Sequence, residues 1–212
     1  MDTKPLEKFA QSARRQLREQ VAARLERVLR TDSAELRGQA TAIAELKQQI
    51  AVSSRQAVIE RVAYTWFNRF CALRFMDVHG YTGMGVVSPA AGYTQPEILL
   101  EAKQGHIDDD LAPLAKRQAI LDLLAGRAPS RDPQGEAYRL LLVAACNAWH
   151  DAMPFLFQRI DDYSELLMPD DLLSAGSILQ GVRDAMTPER CQDVEIIGWL
   201  YQFYISEKKD QV

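Results

Sequence analysis

Apolar side chains recur at helical spacing along most of the chain, and the longest such segment is Ala57–Gly80. They return every three or four residues and so share one helix face, at Val58, Val62, Trp66, Phe70 and Leu73. Further apolar residues widen this face, and we expect the remaining polar positions to form an exposed edge, at Glu60, Arg61, Asn68, Arg69 and Arg74. Because a helix that is apolar most of the way round packs inside a bundle, the pattern predicts a buried central helix at about 57–79.

Capping residues predict where the first helices begin and end. Ser53 and Gln56 have the spacing of a capping box at the start of the central helix, and Gly80 provides its end. Asp32 and Glu35 form a second box that opens a helix running to about residue 50. An earlier amphipathic helix is predicted over 4–30.

Glycine and proline predict the remaining organisation of the chain. Breaks fall at 81–95 and 127–135, which are rich in both residues. Asp108–Asp110 is expected to cap a helix running to Leu124, and Thr187-Pro188-Glu189 to start the final helix. We therefore predict an all-α fold with little or no strand, forming one compact domain over 1–212. A division into sub-lobes 1–80 and 96–212, joined by loop 81–95, is compatible with the same pattern.

The helix predicted over 4–30 carries a basic face opposite its apolar stripe, formed by Lys4, Lys8, Arg15 and Arg18. Residues 1–30 hold eight Lys/Arg against four Asp/Glu, although the whole chain has a net charge of −4. One interpretation is a helix that contacts nucleic-acid phosphates. The other is an ordinary solvated face in which Arg15 pairs with Glu19, and the sequence leaves both open.

Composition narrows the class of protein. The chain has 212 residues, of which 47% are hydrophobic, and no apolar run approaches the length of a membrane span. The first residues, MDTKPLEKF, hold no apolar segment that could act as a secretion signal, so we expect none. Cys71, Cys146 and Cys191 are widely spaced in apolar helical segments, so we expect reduced core thiols in a cytoplasmic protein and neither a disulfide frame nor a zinc site.

Three short motifs resemble chemical sites, and none supports a reaction. Gly83-Met84-Gly85 lacks the third glycine and preceding strand of a nucleotide-binding loop. Asp108–Asp110 lacks the alternate spacing of a calcium loop, and adjacent His150 and Asp151 point to different helix faces. We predict no catalytic and no metal-binding residue in this segment.

Three stretches, taken in order, resemble one family: AYTWFNRFCALRFMDVHGY at 63–81, HDAMPFLF at 150–157 and EIIGWLYQFYISEKK at 195–209. They are similar to the N-terminal region of the PglX family, the adenine-specific DNA methyltransferases of BREX phage-defence systems. The resemblance implies a longer protein, with the catalytic domain and its S-adenosylmethionine site downstream of residue 212. The final helix also reaches Val212 without a capping residue, so we expect the natural chain to continue.

The segment lacks the family's catalytic signature. No Pro-Pro dipeptide occurs, whereas methylation of a flipped adenine uses an Asn/Asp-Pro-Pro-aromatic motif. No strand and glycine-rich turn supplies a cofactor site. The segment alone is therefore expected to be inactive and to bind no cofactor, although S-adenosylmethionine is implied for the full-length protein.

Three roles for this segment remain. The first is DNA contact or scaffolding within the methyltransferase, through double-stranded DNA contacts at Lys4, Lys8, Arg15, Arg18, Arg61, Arg69 and Arg74, with Arg159 and Arg183 as weaker candidates. The second is a protein-interaction module for other BREX proteins or a phage inhibitor, because residues 97–171 hold fourteen Asp/Glu against seven Lys/Arg. The third is a brace for the downstream methyltransferase domain through an aromatic face at Trp199, Tyr201, Phe203 and Tyr204.

Overall fold

A computed structural model of the chain describes residues 2–30, 38–160 and 162–209, with side chains through Ser206. Within these ranges the chain forms nine α-helices, which we number α1 (Lys4–Arg30), α2 (Ala40–Val52), α3 (Arg55–Val78), α4 (Glu97–Lys103), α5 (Leu114–Leu124), α6 (Pro133–Ala148), α7 (Tyr163–Leu166), α8 (Ile178–Ala185) and α9 (Glu195–Lys209). A 3-10 turn at Arg190–Gln192 precedes α9. The described ranges contain no β-strand, only an isolated bridge between Pro89 and Pro96. The predicted all-α fold is confirmed.

Helix α3 lies at the centre of the molecule, as its apolar pattern predicts. It contacts α1, α2, α8 and α9, so neighbours cover several of its sides. Trp66 is fully buried, stacks on Phe70 with ring centroids 5.5 Å apart, and donates its indole N–H to the Ser164 carbonyl at 3.0 Å. A buried indole with its one donor satisfied adds packing without an unpaired polar group.

The start of α3 lies one residue later than the predicted capping box. Ser54 is the N-cap, and its hydroxyl accepts a hydrogen bond from the Ala57 amide at 3.0 Å. Ser53 instead belongs to the end of α2, where its hydroxyl donates to the Gln49 carbonyl. At the other end the helix stops at His79 and Gly80, whose φ of +70° is the left-handed conformation that glycine favours. The predicted end is therefore confirmed.

Two predicted helix starts are wrong, and a third lies outside the described residues. Asp108–Asp110 forms a turn, and α5 begins only at Leu114, after Pro113. Thr187-Pro188-Glu189 starts the short 3-10 turn and not α9. In both places a capping sequence begins a turn that is not propagated, because capping is local whereas helix length depends on packing. The box at Asp32 and Glu35 falls in residues 31–37.

Helix α1, near the start of the chain, packs against helices from the middle and from the C-terminal part of the chain. Its buried apolar stripe faces α3, α7, α8 and α9. One hydrophobic cluster extends from Leu6 in α1 through α3 and α6 to Tyr204 in α9. This core includes residues from both sides of loop 81–95, while the division into sub-lobes stays a prediction.

The Asp77 carboxylate, at the end of α3, organises residues 82–88 of loop 81–95. Asp77 accepts hydrogen bonds from the amides of Val86, Val87 and Ser88 at 2.7–3.0 Å. Its oxygens also accept from the hydroxyls of Ser88 and Thr82, both at 2.8 Å. A loop that carries many glycines is thereby held in one conformation against the core.

Candidate nucleic-acid interface

The exposed face of α1 carries three of the predicted cations in one row. Lys4, Lys8 and Arg15 are all exposed, and their spacing places them on the side of α1 that points away from the core. The row extends over about 16 Å, at a rise of 1.5 Å per residue. Among the described residues, neither the Lys4 nor the Lys8 ammonium has an ion-pair partner. Both charges are therefore available to an anion in solution.

The fourth predicted cation of α1 is engaged within the molecule. Arg18 binds the Glu60 carboxylate on α3 at 2.7 Å, and Arg14 approaches the same carboxylate at 3.3 Å. The Arg14 side chain is only 3% exposed. Glu60 thus joins α1 to α3 through two ion pairs. The charge of Arg18 is used within the molecule, so Arg18 is a weaker candidate for a DNA contact than the three exposed cations.

The remaining exposed candidate on α3 is Arg61. Its guanidinium donates to the Gln49 side chain at 3.1 Å and lies 5.9 Å from the Tyr163 ring centroid. Arg159, a weaker candidate, is exposed, but Arg183 is half-buried and donates to the Val87 carbonyl. Arg61 and Arg159 remain accessible, while Arg183 is used to hold the loop after α3.

The prediction of an exposed edge is wrong for Arg69 and Arg74. Arg69 is 2% exposed, donates to the Gln158 carbonyl at 2.8 Å and lies over the Trp66 ring at 5.1 Å. Arg74 is 9% exposed and donates to the Met186 carbonyl and the Ser88 hydroxyl. Burial lowers the pKa of both guanidinium groups. These arginines join α3 to distant loops, so we remove them from the candidate interface.

The aromatic face of α9 is also divided differently from the prediction. Tyr204 is 2% exposed and packs on Phe67 of α3 with ring centroids 4.4 Å apart. It belongs to the core of this chain, and its assignment to a face for another domain is wrong. Trp199 and Phe203 are partly buried against the core, and Tyr201 is 45% exposed. A role for these three in interdomain packing stays a prediction.

Most amides of the loop around Gly83 and Gly85 already bind acceptors within the chain. Glu97 accepts from the Gly85 amide at 2.7 Å, and Asp77 accepts from the three amides that follow. A nucleotide-binding loop needs such N–H groups to point at the ligand. With most of these amides occupied and no strand in the described ranges, this loop does not fit the S-adenosylmethionine site that the resemblance implies for the full-length protein.

The cysteines and histidines are used structurally. Cys71, Cys146 and Cys191 are unpaired and buried, which confirms the predicted core thiols. Burial raises the pKa of the Cys146 thiol to about 12. His150 forms a hydrogen bond with the Phe157 carbonyl at 2.9 Å, and His79 forms one with the Cys191 carbonyl at 2.9 Å.

In the described part of the chain no three Cys, His, Asp or Glu side chains cluster as metal ligands. No described helix combines the length and apolarity needed to cross a membrane.

The chain is similar to two curated proteins. It is 46% identical over 160 residues to "Adenine-specific methyltransferase BrxX" of Escherichia coli O9:H4 (strain HS), an alignment that covers 74% of this chain and 13% of that protein. The chain is a homologue of adenine-specific methyltransferases. It is also 32% identical over 247 aligned positions to "Adenine-specific methyltransferase PglX" of Lacticaseibacillus casei (strain Zhang), which covers 99% of this chain and 20% of that protein. No family model matches the chain.

These similarities confirm the resemblance that the sequence motifs carry. The alignments span at most a fifth of either methyltransferase. The activity, substrate and partners of the full-length relatives are therefore proposals for this chain.

Two arginines were not recognised as buried structural residues although their spacing signals it. Arg14 follows Ala10 by four residues and precedes Leu17 by three, so it lies in the buried stripe of α1. Arg69 follows Trp66 by three residues and precedes Leu73 by four, so it lies in the buried stripe of α3. A polar residue at helical spacing between two core positions points inward with them.

Proposed function

We propose that this chain is the non-catalytic helical domain of a cytoplasmic, S-adenosylmethionine-dependent adenine-specific DNA methyltransferase of a BREX anti-phage system. In this role its α1 face contacts the phosphates of double-stranded DNA and helps to hold the duplex for a catalytic domain elsewhere in the protein. The observation that carries the DNA contact is the exposed row of Lys4, Lys8 and Arg15, in which both ammonium groups lack an ion-pair partner among the described residues. Similarity to two proteins named as adenine-specific methyltransferases supports the proposal that the chain is part of such an enzyme.

Such contacts would position DNA without reading its sequence. Flexible lysine ammonium groups on an exposed helix face suit phosphate oxygens, whereas base recognition needs side chains that reach into a groove. The net charge of −4 means that the rest of the surface repels the duplex, so binding is expected to be confined to the α1 face.

The test is binding of a fluorescent DNA duplex to the 212-residue chain over a series of salt concentrations. In Lys4→Gln/Lys8→Gln, loss of two phosphate contacts should make the slope of log affinity against log salt shallower by about 1.8. Both lysines are exposed, so the double variant should retain the fold.

The matched control is Lys47→Gln/Arg131→Gln, which removes the same charge from two exposed sites away from α1. We expect the control to leave the salt slope of the parent chain unchanged. Equal losses in both double variants would mean that net charge, and not the α1 face, governs binding. Absence of binding even at low salt would refute the DNA contact.

A second candidate function, protein docking, is favoured by one apolar pocket of about 460 Å³. Phe75, Trp149, Met153 and Ile197 contribute to its walls, and Phe155 nearby is 83% exposed. Exposed apolar patches mark interaction sites, so other BREX proteins or a phage inhibitor are the proposed partners. Co-elution of those proteins with the parent chain, lost in Phe155→Asp, would support docking.

A further inference from the structure

A pocket of about 600 Å³ opens where α1, the start of α3 and the end of α9 meet. Such a volume is in the range of about 300–1,000 Å³ typical of small-molecule sites. Its walls combine three tyrosines, from α3 and α9, with charged side chains from α1 and α3, which distinguishes it from the apolar pocket near Phe155.

The aromatic wall consists of Tyr64, Tyr201 and Tyr204. The Tyr64 ring centroid lies 5.9 Å from that of Tyr201 and 5.6 Å from that of Tyr204. Tyr201 is 45% exposed, so a flat ligand can reach its ring from solvent. Aromatic side chains of this kind stack on nucleobases with little dependence on the base.

The charged wall favours an anion. Arg14 and Arg61 line the pocket together with one carboxylate, Glu60, and Arg18 binds that carboxylate from outside. Arg14 and Arg18 bind the single carboxylate of Glu60, and Arg61 adds a further positive charge to the lining. Ser54, the N-cap of α3, also lines the pocket, and the positive end of the helix dipole adds to the same preference.

A buried hydroxyl at this site lacks a partner. The Tyr204 hydroxyl has no hydrogen-bond partner among the described residues, although the side chain is 2% exposed and lines the pocket. Buried polar groups in folded proteins are almost always hydrogen-bonded. A ligand with polar atoms would satisfy this group and gain a specific contact.

We propose that this pocket binds a nucleotide, with the base against Tyr201 and Tyr64 and the phosphate near Arg14 and Arg61. The nucleotide is either free or an unpaired residue of a DNA strand, because both sources present the same base and phosphate. This site is separate from the exposed row on α1 and does not require that row to bind duplex DNA.

Calorimetric titration of the 212-residue chain with dAMP, with deoxyadenosine and with a ten-nucleotide single strand tests the proposal. Loss of one stacked base should weaken binding of the nucleotide by roughly 5- to 150-fold in Tyr201→Ala. Tyr201→Phe keeps the ring and should bind within about twofold of the parent chain. Arg61→Gln should weaken dAMP more than deoxyadenosine, because only dAMP carries a phosphate.

The matched control is Tyr93→Ala, which removes another exposed tyrosine outside the pocket and should leave binding unchanged. Binding of the single strand but not of dAMP identifies an unpaired DNA residue as the ligand, and the reverse identifies a free nucleotide. The proposal is overturned if none of the probes binds at millimolar concentration, or if Tyr201→Ala binds as well as Tyr93→Ala. Because the proposed duplex contact is tested on Lys4 and Lys8, either proposal can fail alone.

Discussion

The conformation of loop 81–95 depends on the charge of one side chain, and Asp77→Asn tests this dependence. Asp77 accepts five hydrogen bonds, two through Oδ1 and three through Oδ2. An asparagine retains the shape of the side chain but replaces one accepting oxygen by an NH₂ group. In the better orientation its oxygen serves Val87 and Ser88, and its NH₂ then faces the Val86 amide, which is itself a donor.

The expected loss of stability in Asp77→Asn follows from these hydrogen bonds. One backbone amide left without an acceptor costs about 1–3 kcal/mol, and the remaining bonds lose the extra strength of a charged acceptor. We therefore expect Asp77→Asn to lower the free energy of unfolding by about 2–4 kcal/mol. For a domain of this size each kcal/mol corresponds to about 2–4 °C, so Tm should fall by about 4–16 °C.

The assay is thermal unfolding followed by circular dichroism at 222 nm, with Asp151→Asn as the matched control. The substitution Asp151→Asn removes the same charge at an exposed position outside this loop. The Tm of this variant should therefore stay close to that of the parent chain. If both variants melt at the same temperature, the Asp77 carboxylate does not hold this loop.

Two further predictions concern Cys146 and Gly85. Because burial raises the pKa of Cys146 to about 12, the folded chain keeps a proton that the unfolded chain loses near pH 9. This stabilisation is complete below pH 9 and is lost towards pH 12. From pH 7 to pH 10 the free energy of urea unfolding should therefore fall by about 1.4 kcal/mol more in the parent chain than in Cys146→Ala, because the other buried thiols titrate in both chains; equal pH dependence in both chains would contradict this. In Gly85→Ala the new Cβ would lie 2.4 Å from the Ser88 carbonyl oxygen, and the backbone must shift. Tm should fall clearly in this variant but not in Gly38→Ala, where a Cβ meets nothing within 4 Å; equal melting of the two would exclude the clash.

Much of the helical framework follows from local patterns. The segment from Val58 to Met76 is apolar on several sides, and this alone places α3 inside the molecule. Gly80, Gly105 and Gly126 follow the ends of α3, α4 and α5 with positive φ, as helix-ending glycines do. The first residues of the helices were less predictable from the sequence than their ends. A capping residue can open a single turn as well as a helix, and only packing decides which, as at Asp108–Asp110.

The candidate site was predicted less completely than the fold. The exposure of Lys4 and Lys8 follows from their position opposite the stripe of α1, and the structure agrees. The location of Tyr204 does not follow, because its partner Phe67 is remote in sequence and belongs to another helix. The tyrosine pocket likewise forms only where three helices meet.

The sequence by itself determined the all-α class, the central helix, the unpaired cysteines and the resemblance to adenine-specific methyltransferases. These depend on residue type and on helical period, which act over a few positions. Tertiary structure decided which charges reach solvent. Arg61 and Arg69 lie on the same helix, yet Arg61 remains exposed while the segment around Gln158 covers Arg69. Burial of a guanidinium depends on which distant carbonyl or carboxylate packing brings to it, and that information is not local to either residue.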